Sequence, residues 1–342
     1  MNVLGVLTAG GDCPGLNAVI RAVVVRAAET HNAEIVGVLN GWEGLMESRT
    51  RPLDRDDVRG ILARGGTILG TSRLDPYVHG DGYQSIRSTI ESNDIDALVV
   101  IGGDGTLRTA LQLHEDGGLP VIGVPKTIDN DIAATDVTFG FSTAVQIATE
   151  AIDRLTTTAE AHNRVMLVEV MGRTKGWIAA YAGIAAGADA ILIPEVDYDL
   201  DAIAKIIRKR HRRGHTYSVV VIAEGIEPPA GLEVEERVDQ FGFKRLGGVA
   251  YAVGHELENL TGFETRVTVL GHLQRGGTPS AWDRVLATRF GVAAADLAAA
   301  GDYGKMVAAR GTEMVPVPLA EACASVRGVP TDLYNVAETF FG

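Results

Sequence analysis

Several residue classes are scarce in this chain. Cysteine occurs twice in 342 residues, at Cys13 and Cys323, too few for a disulfide framework and with no C-x-x-C pair for zinc or thiol redox chemistry. Basic residues are outnumbered, 31 Lys and Arg against 44 Asp and Glu for a net charge of −13. That balance argues against a nucleic-acid partner, because affinity for a phosphate backbone rests on clustered cations. Aromatics make up only 6%. No apolar run reaches the roughly 18 residues of a membrane span; the best, across 178–193, is broken by Asp189. The opening Met1-Asn2-Val3-Leu4-Gly5 has neither the basic residues nor the long apolar core of a secretory signal. The expectation is a cytoplasmic protein with no nucleic-acid and no membrane partner. Walker-type Gly-x-x-x-x-Gly-Lys loops, a Gly-x-Gly-x-x-Gly fingerprint at a strand end and a His-Glu-x-x-His zinc helix are also missing.

What is plentiful is hydrophobic residues, at 46%, and glycine, 41 residues without a three-residue period. Such a chain folds, and its length suggests about two domains. Short β-branched runs at 3–7, 35–39, 97–101, 121–124, 165–170, 190–193 and 219–223 are nearly continuous in hydrophobicity, as in strands buried on both faces of parallel sheets. Helical patterns at 16–29, 85–92, 143–155 and 201–212 fall between them. The alternation reads as α/β. A boundary is expected within 138–160, a polar surface loop over 227–244, and a peripheral segment from 301 onward.

Three glycine-rich or acidic turns follow predicted strands. The first runs Thr8-Ala9-Gly10-Gly11-Asp12-Cys13-Pro14-Gly15-Leu16-Asn17 and opens a helix. Glycines there let backbone N–H groups approach a phosphate at the positive helix end, although a turn that binds nothing accounts for one such loop equally well. In the second, Gly102-Gly103-Asp104-Gly105-Thr106-Leu107, Asp104 either holds magnesium or merely caps the next helix. The third, Pro125-Lys126-Thr127-Ile128-Asp129-Asn130-Asp131, sets two carboxylates around an asparagine, suited to accepting a hydroxyl proton or to lying solvated in a turn. Cys13 reads as a small packing residue. The second half supplies Arg164, Arg173, Glu224, Arg266, His272 and Arg275 near short turns. Cationic groups of that kind suit a dianionic sugar phosphate, and Glu224 suits sugar hydroxyls; singly, each arginine is equally a surface charge.

Taken in order, Gly10-Gly11-Asp12-x-Pro14-Gly15-x-Asn17, Arg64-Gly65-Gly66-Thr67, Gly102-Gly103-Asp104-Gly105-Thr106, Pro125-Lys126-Thr127-Ile128-Asp129-Asn130-Asp131, Met171-Gly172-Arg173 and Gly271-His272-x-Gln274-Arg275-Gly276-Gly277 resemble the 6-phosphofructokinases, up to about residue 300. The resemblance implies two doubly wound, mainly parallel-sheet α/β domains with the active site in the cleft between them. A nucleotide-binding domain would span 1–140, with the chain re-entering it after about 278. A sugar-phosphate-binding domain would span 141–300 and a peripheral segment 301–342. The implied reaction is transfer of the ATP γ-phosphoryl group to the 1-hydroxyl of fructose 6-phosphate in glycolysis, with Mg2+ as cofactor.

By position in the motifs, Gly11, Arg73, Leu74, Gly103, Asp104, Gly105 and Thr106 would face the nucleotide, and Asp104 would hold the metal. Asp129 would be the catalytic base. Thr127, Ile128, Asp131, Arg164, Met171, Gly172, Arg173, Glu224, Arg266, His272, Leu273, Gln274 and Arg275 would bind the sugar phosphate with it. In this family Arg164 and Arg266 reach a neighbouring subunit's site, which implies a homodimer or homotetramer with shared active sites.

Departures from the pattern concern donor and regulation. Lys126 stands where the regulated bacterial ATP enzymes carry glycine, as in pyrophosphate users and a mixed-substrate, actinobacterial-type group. Gly105 follows the ATP pattern, since pyrophosphate users carry Asp there. At the effector positions Arg21 and Arg55 remain, but Val25 and His215 replace basic residues, so the resemblance does not extend to ADP activation or phosphoenolpyruvate inhibition. A non-catalytic nucleotide-sugar regulator would not need Asp129, and a lipid or NAD kinase would not need the 271–277 motif.

Overall fold

The structure is a computed structural model that describes residues 1–78, 80–229, 237–238 and 244–341. Most of the surface loop expected over 227–244 therefore lies outside the described residues. The chain divides into two compact units, Met1–Ser142 with Arg275–Val326, and Thr143–Gln274 with Arg327–Gly342.

In the first unit the apolar runs become the middle of a sheet. Ala97–Gly102 and Val121–Thr127 are buried at every residue, which is why neither shows polar alternation. Ala97–Gly102 pairs in parallel with Val3–Thr8 on one side and Val121–Thr127 on the other, with Leu4 opposite Ala97 and Val99 opposite Ile122. Val3–Thr8 pairs in parallel with Glu34–Val38. Because all run the same way, the turns after Val3–Thr8, Ala97–Gly102 and Val121–Thr127 emerge side by side at one sheet edge.

The outermost strands, Thr50–Leu53 and Glu313–Pro318, are antiparallel to their neighbours and carry Pro52, Pro316 and Pro318. Proline lacks an N–H to donate, so a sheet tolerates it at an edge, where it also blocks further pairing.

Residues 301–342 are not a separate peripheral segment. Lys305–Arg310 joins the first sheet in parallel with Val121–Thr127, then turns at Gly311 (φ 56) into Glu313–Pro318. The residues from Arg327 onward belong to the second unit. Nor does the second unit run to 300. The Ala281–Ala300 helix packs on Leu16–His31 in the first unit, where a Cβ on Gly291 would lie 2.7 Å from both Ala22 Cβ and the Val19 carbonyl oxygen. Only glycine permits that approach.

The second unit is built on a four-stranded parallel sheet in the order Thr265–Val269, Val165–Val170, Ser218–Ala223, Ala190–Leu192. A carboxylate in the middle strand has a structural use. Glu169, buried, accepts hydrogen bonds from Gly248 N at 2.7 Å and Ala250 N at 2.9 Å, satisfying the start of the Val249–Thr261 helix.

The helix contact at Gly291 yields a test in which two effects oppose. Gly→Ala inside a helix gains about 1 kcal/mol from propensity, whereas forcing a methyl group against a backbone oxygen costs about 1–3 kcal/mol. Gly291→Ala is expected to be destabilised on balance, by about 1 kcal/mol in denaturant unfolding. Stability equal to or above that of the parent chain would mean the helices are less tightly apposed.

Candidate active site

The first turn shows why its residue types are needed. Gly10 (φ 82) and Gly15 (φ 109) take conformations that side chains resist. A Cβ on Gly11 would lie 2.7 Å from Arg275 Nη1, so a larger residue there would displace that guanidinium. Lys126 Nζ donates to the Gly11 carbonyl and Arg275 Nη1 to that of Asp12 at 3.1 Å. Asn17, fully buried, donates from Nδ2 to the Arg64 carbonyl at 2.9 Å and accepts from Ile68 N at 2.9 Å. A Cβ on Gly65 would meet the Gly277 carbonyl oxygen at 2.2 Å. Four motifs distant in sequence thus form one packed assembly. The segment with Arg73 and Leu74 joins it through Gly10 N, which donates to the Ser72 carbonyl at 2.9 Å, and Thr71 Oγ1, which donates to the Gly10 carbonyl at 2.6 Å. Cys13 packs beneath the turn, and burial pushes its thiol up to about 12. It stays protonated and is no nucleophile.

At the second turn Gly103 precedes the Asp104–Gly117 helix in an extended conformation. A Cβ on Gly102 would strike the Thr106 side chain at 2.2 Å, while one on Gly105 would meet nothing within 4 Å. Both Asp104 carboxylate oxygens accept from Arg108 Nε, each at 3.0 Å, one helical turn on. Arg108 was not among the expected site residues, although its i,i+4 spacing from Asp104 is a readable signal.

The third turn is the most heavily constrained. Thr127 Oγ1 accepts from Asp129 N at 3.0 Å, and Asn130 sits at φ 52, its Oδ1 accepting from Thr138 N at 3.0 Å. Asp129 is 7% exposed, and its Oδ1 has no hydrogen-bond partner. Burial lowers the pKa of Lys126, with Arg275 acting in the same direction, while Asp129 and Asp12 act against that shift. Magnesium typically takes one or two carboxylates plus phosphate oxygens. The carboxylate of Asp104, partly exposed, fits such a donor set. No group of three or more His, Cys, Asp or Glu that could hold a metal occurs among the described residues, so an all-protein cage does not fit.

In the second unit the turn after Val165–Val170 carries Met171, Gly172 and Arg173. Gly172 (φ 146) and Arg173 (φ 57) both have positive φ, and Arg173 N donates to Glu224 Oε1 at 3.0 Å. Gln274, fully buried, accepts from Met171 N at 3.3 Å and donates to the Gly271 carbonyl at 3.1 Å. Met171, Gly172, Arg173, Glu224 and Gln274 are therefore brought together. His272 and Leu273 are exposed on the short Gly271–Arg275 helix, Leu273 at 71%. Arg164 and Arg266 are gathered by a residue the motifs did not flag. Glu264 accepts from Arg164 Nε at 2.9 Å and from Arg266 Nη2, and the Arg164 hydrogen bond is the main cause holding its carboxyl below the ordinary range.

Away from these turns, Arg21, Val25, Arg55 and Arg59 line a cavity of about 370 Å³ in the first unit. Arg55 Nη1 is paired there with Glu29 at 3.1 Å. Among the described residues no helix is long and apolar enough to cross a membrane.

A family model described as phosphofructokinase matches residues 3–298. A pyrophosphate–fructose 6-phosphate 1-phosphotransferase of Amycolatopsis methanolica is 54% identical over 341 residues, 99% of each chain. The ATP-dependent 6-phosphofructokinase 3 of Streptomyces coelicolor is 53% identical over 337 residues, 98% of each, and the ATP-dependent 6-phosphofructokinase of Mycobacterium tuberculosis is 52% identical over 342 residues, 99% of each. Among solved structures, the phosphofructokinase of Pichia pastoris superposes with a TM-score of 0.81 at 32% identity, over 99% of this chain and 37% of the yeast chain. A pyrophosphate-dependent phosphofructokinase from Marinobacter aquaeolei gives 0.82 at 25% identity, over 97% of this chain and 86% of that one. From the first strand through the Ala281–Ala300 helix, the chain belongs to the phosphofructokinase family, whose members are phosphotransferases.

Proposed function

We propose that this chain is an ATP-dependent 6-phosphofructokinase, transferring the ATP γ-phosphoryl group to the 1-hydroxyl of fructose 6-phosphate to give fructose 1,6-bisphosphate and ADP. The observation that carries the reading is the buried Asp129 carboxylate with one oxygen unpartnered, in a turn at the same sheet edge as two glycine-lined anion loops. A satisfied structural carboxylate would not leave that oxygen unused. Asp129 accepts the 1-hydroxyl proton as the oxygen attacks, and Thr127 and Asn130 fix the turn that aims it. Gly11, Gly103, Gly105 and Thr106 bring backbone close to the donor phosphates, with Arg73 and Leu74 beside them. Asp104 would hold magnesium, which supplies charge neutralisation on the donor phosphates. Ile128, Asp131, Met171, Gly172, Arg173, Glu224, His272, Leu273, Gln274 and Arg275 bind and orient the sugar phosphate. Arg164 and Arg266 complete the site of a neighbouring copy in a homodimer or homotetramer. The role is glycolytic and cytoplasmic.

Donor choice rests on Gly105. Relatives at 52–54% identity carry both donor names, so overall likeness does not select between ATP and pyrophosphate. A side chain at 105 would project into solvent-open space, which a nucleotide α-phosphate needs and pyrophosphate does not. A carboxylate there would add like-charge repulsion.

Three outcomes test this reading. In Asp129→Asn, kcat is expected to fall by roughly 10²–10⁴ through loss of the base, with little change in fructose 6-phosphate affinity; wild-type-like turnover would remove Asp129 from the mechanism. Mixing inactive Asp129→Asn with inactive Arg164→Ala is expected to restore some activity through hybrid oligomers, and demonstrable subunit exchange without recovery would refute shared sites. In coupled assays the native chain is expected to use ATP, with negligible turnover on pyrophosphate. Gly105→Asp should fold normally and use ATP poorly; robust native pyrophosphate turnover, or unaltered ATP kinetics in the variant, would sink the donor assignment.

A further inference from the structure

The turn that carries Arg173 is unfavourable by itself, because it holds an arginine in the left-handed region at φ 57. Something must hold it, and two supports approach it within the second unit. The inner one is Glu224-Gly225. Arg173 N donates to Glu224 Oε1 at 3.0 Å, and a Cβ on Gly225 would lie 1.9 Å from the Arg173 carbonyl oxygen.

The outer support comes from the far end of the chain. Lys175 N closes the turn onto the Gly172 carbonyl at 3.0 Å. The next residue, Gly176, donates its N–H to both oxygens of Glu195 at 3.1 and 3.0 Å, and Glu195 Oε1 also accepts from Val329 N at 3.0 Å. A Cβ on Gly176 would lie 2.9 Å from Glu195 Oε2, and one on Gly328 would lie 3.3 Å from Glu195 Cγ, so both segments fit closely against this one side chain. The attachment is reinforced on either side. Trp177 Nε1 donates to the Arg327 carbonyl at 2.9 Å, the Arg327 guanidinium lies 4.4 Å from the centre of the Trp177 ring, and Tyr334 Oη donates to the Ile191 carbonyl at 2.9 Å.

We propose that Glu195 is a positioning residue for the sugar phosphate, and that residues 327–341 brace the Met171-Gly172-Arg173 turn through it. The inference rests on the sugar-phosphate role assigned to Arg173 above. Both Glu195 oxygens are engaged by backbone N–H groups, so its action on the sugar is indirect. It ties the base of the turn to a segment that has left the unit at Gln274 and returned at Arg327. Releasing either end lets Arg173 leave its left-handed conformation, while the donor loops of the first unit are untouched.

Hydrogen exchange on the full chain without ligands, followed by steady-state kinetics, tests this. In Glu195→Ala the amides of Gly176 and Val329 are expected to lose protection together, by about tenfold or more, as local opening becomes easier. KM for fructose 6-phosphate should rise about tenfold while kcat and KM for ATP stay within about threefold, the pattern of lost ground-state positioning. Glu195→Gln, which keeps one acceptor oxygen for both N–H groups, should fall between the two. Tyr334→Phe, which removes only the hydroxyl bond to Ile191, should raise KM for the sugar by about twofold to threefold, with faster exchange at Val329 and Gly176. It decides the matter if Glu195→Ala does not fold. Faster exchange with an unchanged sugar KM would overturn the positioning role, and loss of protection at Val329 alone would overturn the brace. Absence of any fructose 6-phosphate turnover in the native chain would instead refute the functional reading, since the exchange measurements judge the brace independently of substrate.

Discussion

One buried carboxylate oxygen without a partner, Asp129 Oδ1, sets a demand that the rest of the first unit meets. Leaving such a group unsatisfied costs about 1–3 kcal/mol, so the turn that presents it must be held by other bonds. Thr127 Oγ1 and Asn130 Oδ1 tie its backbone, and Thr138 Oγ1 donates to the Thr127 carbonyl at 2.8 Å. Lys126 lies one residue before this turn and ends on the Gly11 carbonyl. Lys126 is 3% exposed and has its pKa lowered chiefly by burial, against which the charge of Asp129 acts. The acid turn and the first glycine-rich turn are therefore fixed with respect to each other through one side chain.

The same solution appears in both units. Parallel strands deliver their turns to one sheet edge, and the turns then adopt conformations that ordinary side chains resist: Gly10, Gly15 and Asn130 in the first unit, Gly172 and Arg173 in the second. Each is held by side-chain hydrogen bonds or by a close backbone approach. Strain of this kind persists only where its surroundings over-determine it. That explains why the motif residues include some that touch no ligand in the proposed reaction, among them Asn17 and Gly65.

Legibility in the sequence followed the same physics. Central strands such as Ala97–Gly102 were readable because burial on both faces leaves an unbroken apolar run, and Val165–Val170 because its run is broken only by Glu169. Thr50–Leu53, Lys305–Arg310 and Glu313–Pro318 were not, since they are short, polar or proline-bearing. The Ala281–Ala300 helix has a weak periodic signal because of its small residues, so a return to the first domain after about 278 was expected from the resemblance alone. At the site, the glycine-rich turns announced themselves, whereas Glu264, Glu195 and Glu169 did not. Each is a lone carboxylate whose partners are backbone N–H groups or, for Glu264, Arg164 a hundred residues away together with the nearby Arg266.

Donor choice illustrates what overall similarity leaves undetermined. Relatives of nearly equal identity bear different donor names, so the discriminating chemistry resides in few positions. Lys126 is a weak candidate for that role by itself, because its ammonium is already bound to the Gly11 carbonyl. Gly105 differs in kind. It lies on the exposed first turn of the Asp104–Gly117 helix, and nothing in the protein crowds its missing side chain. Replacement there would leave the fold intact, which is the property a specificity position needs if closely related chains are to diverge in donor while keeping the same core.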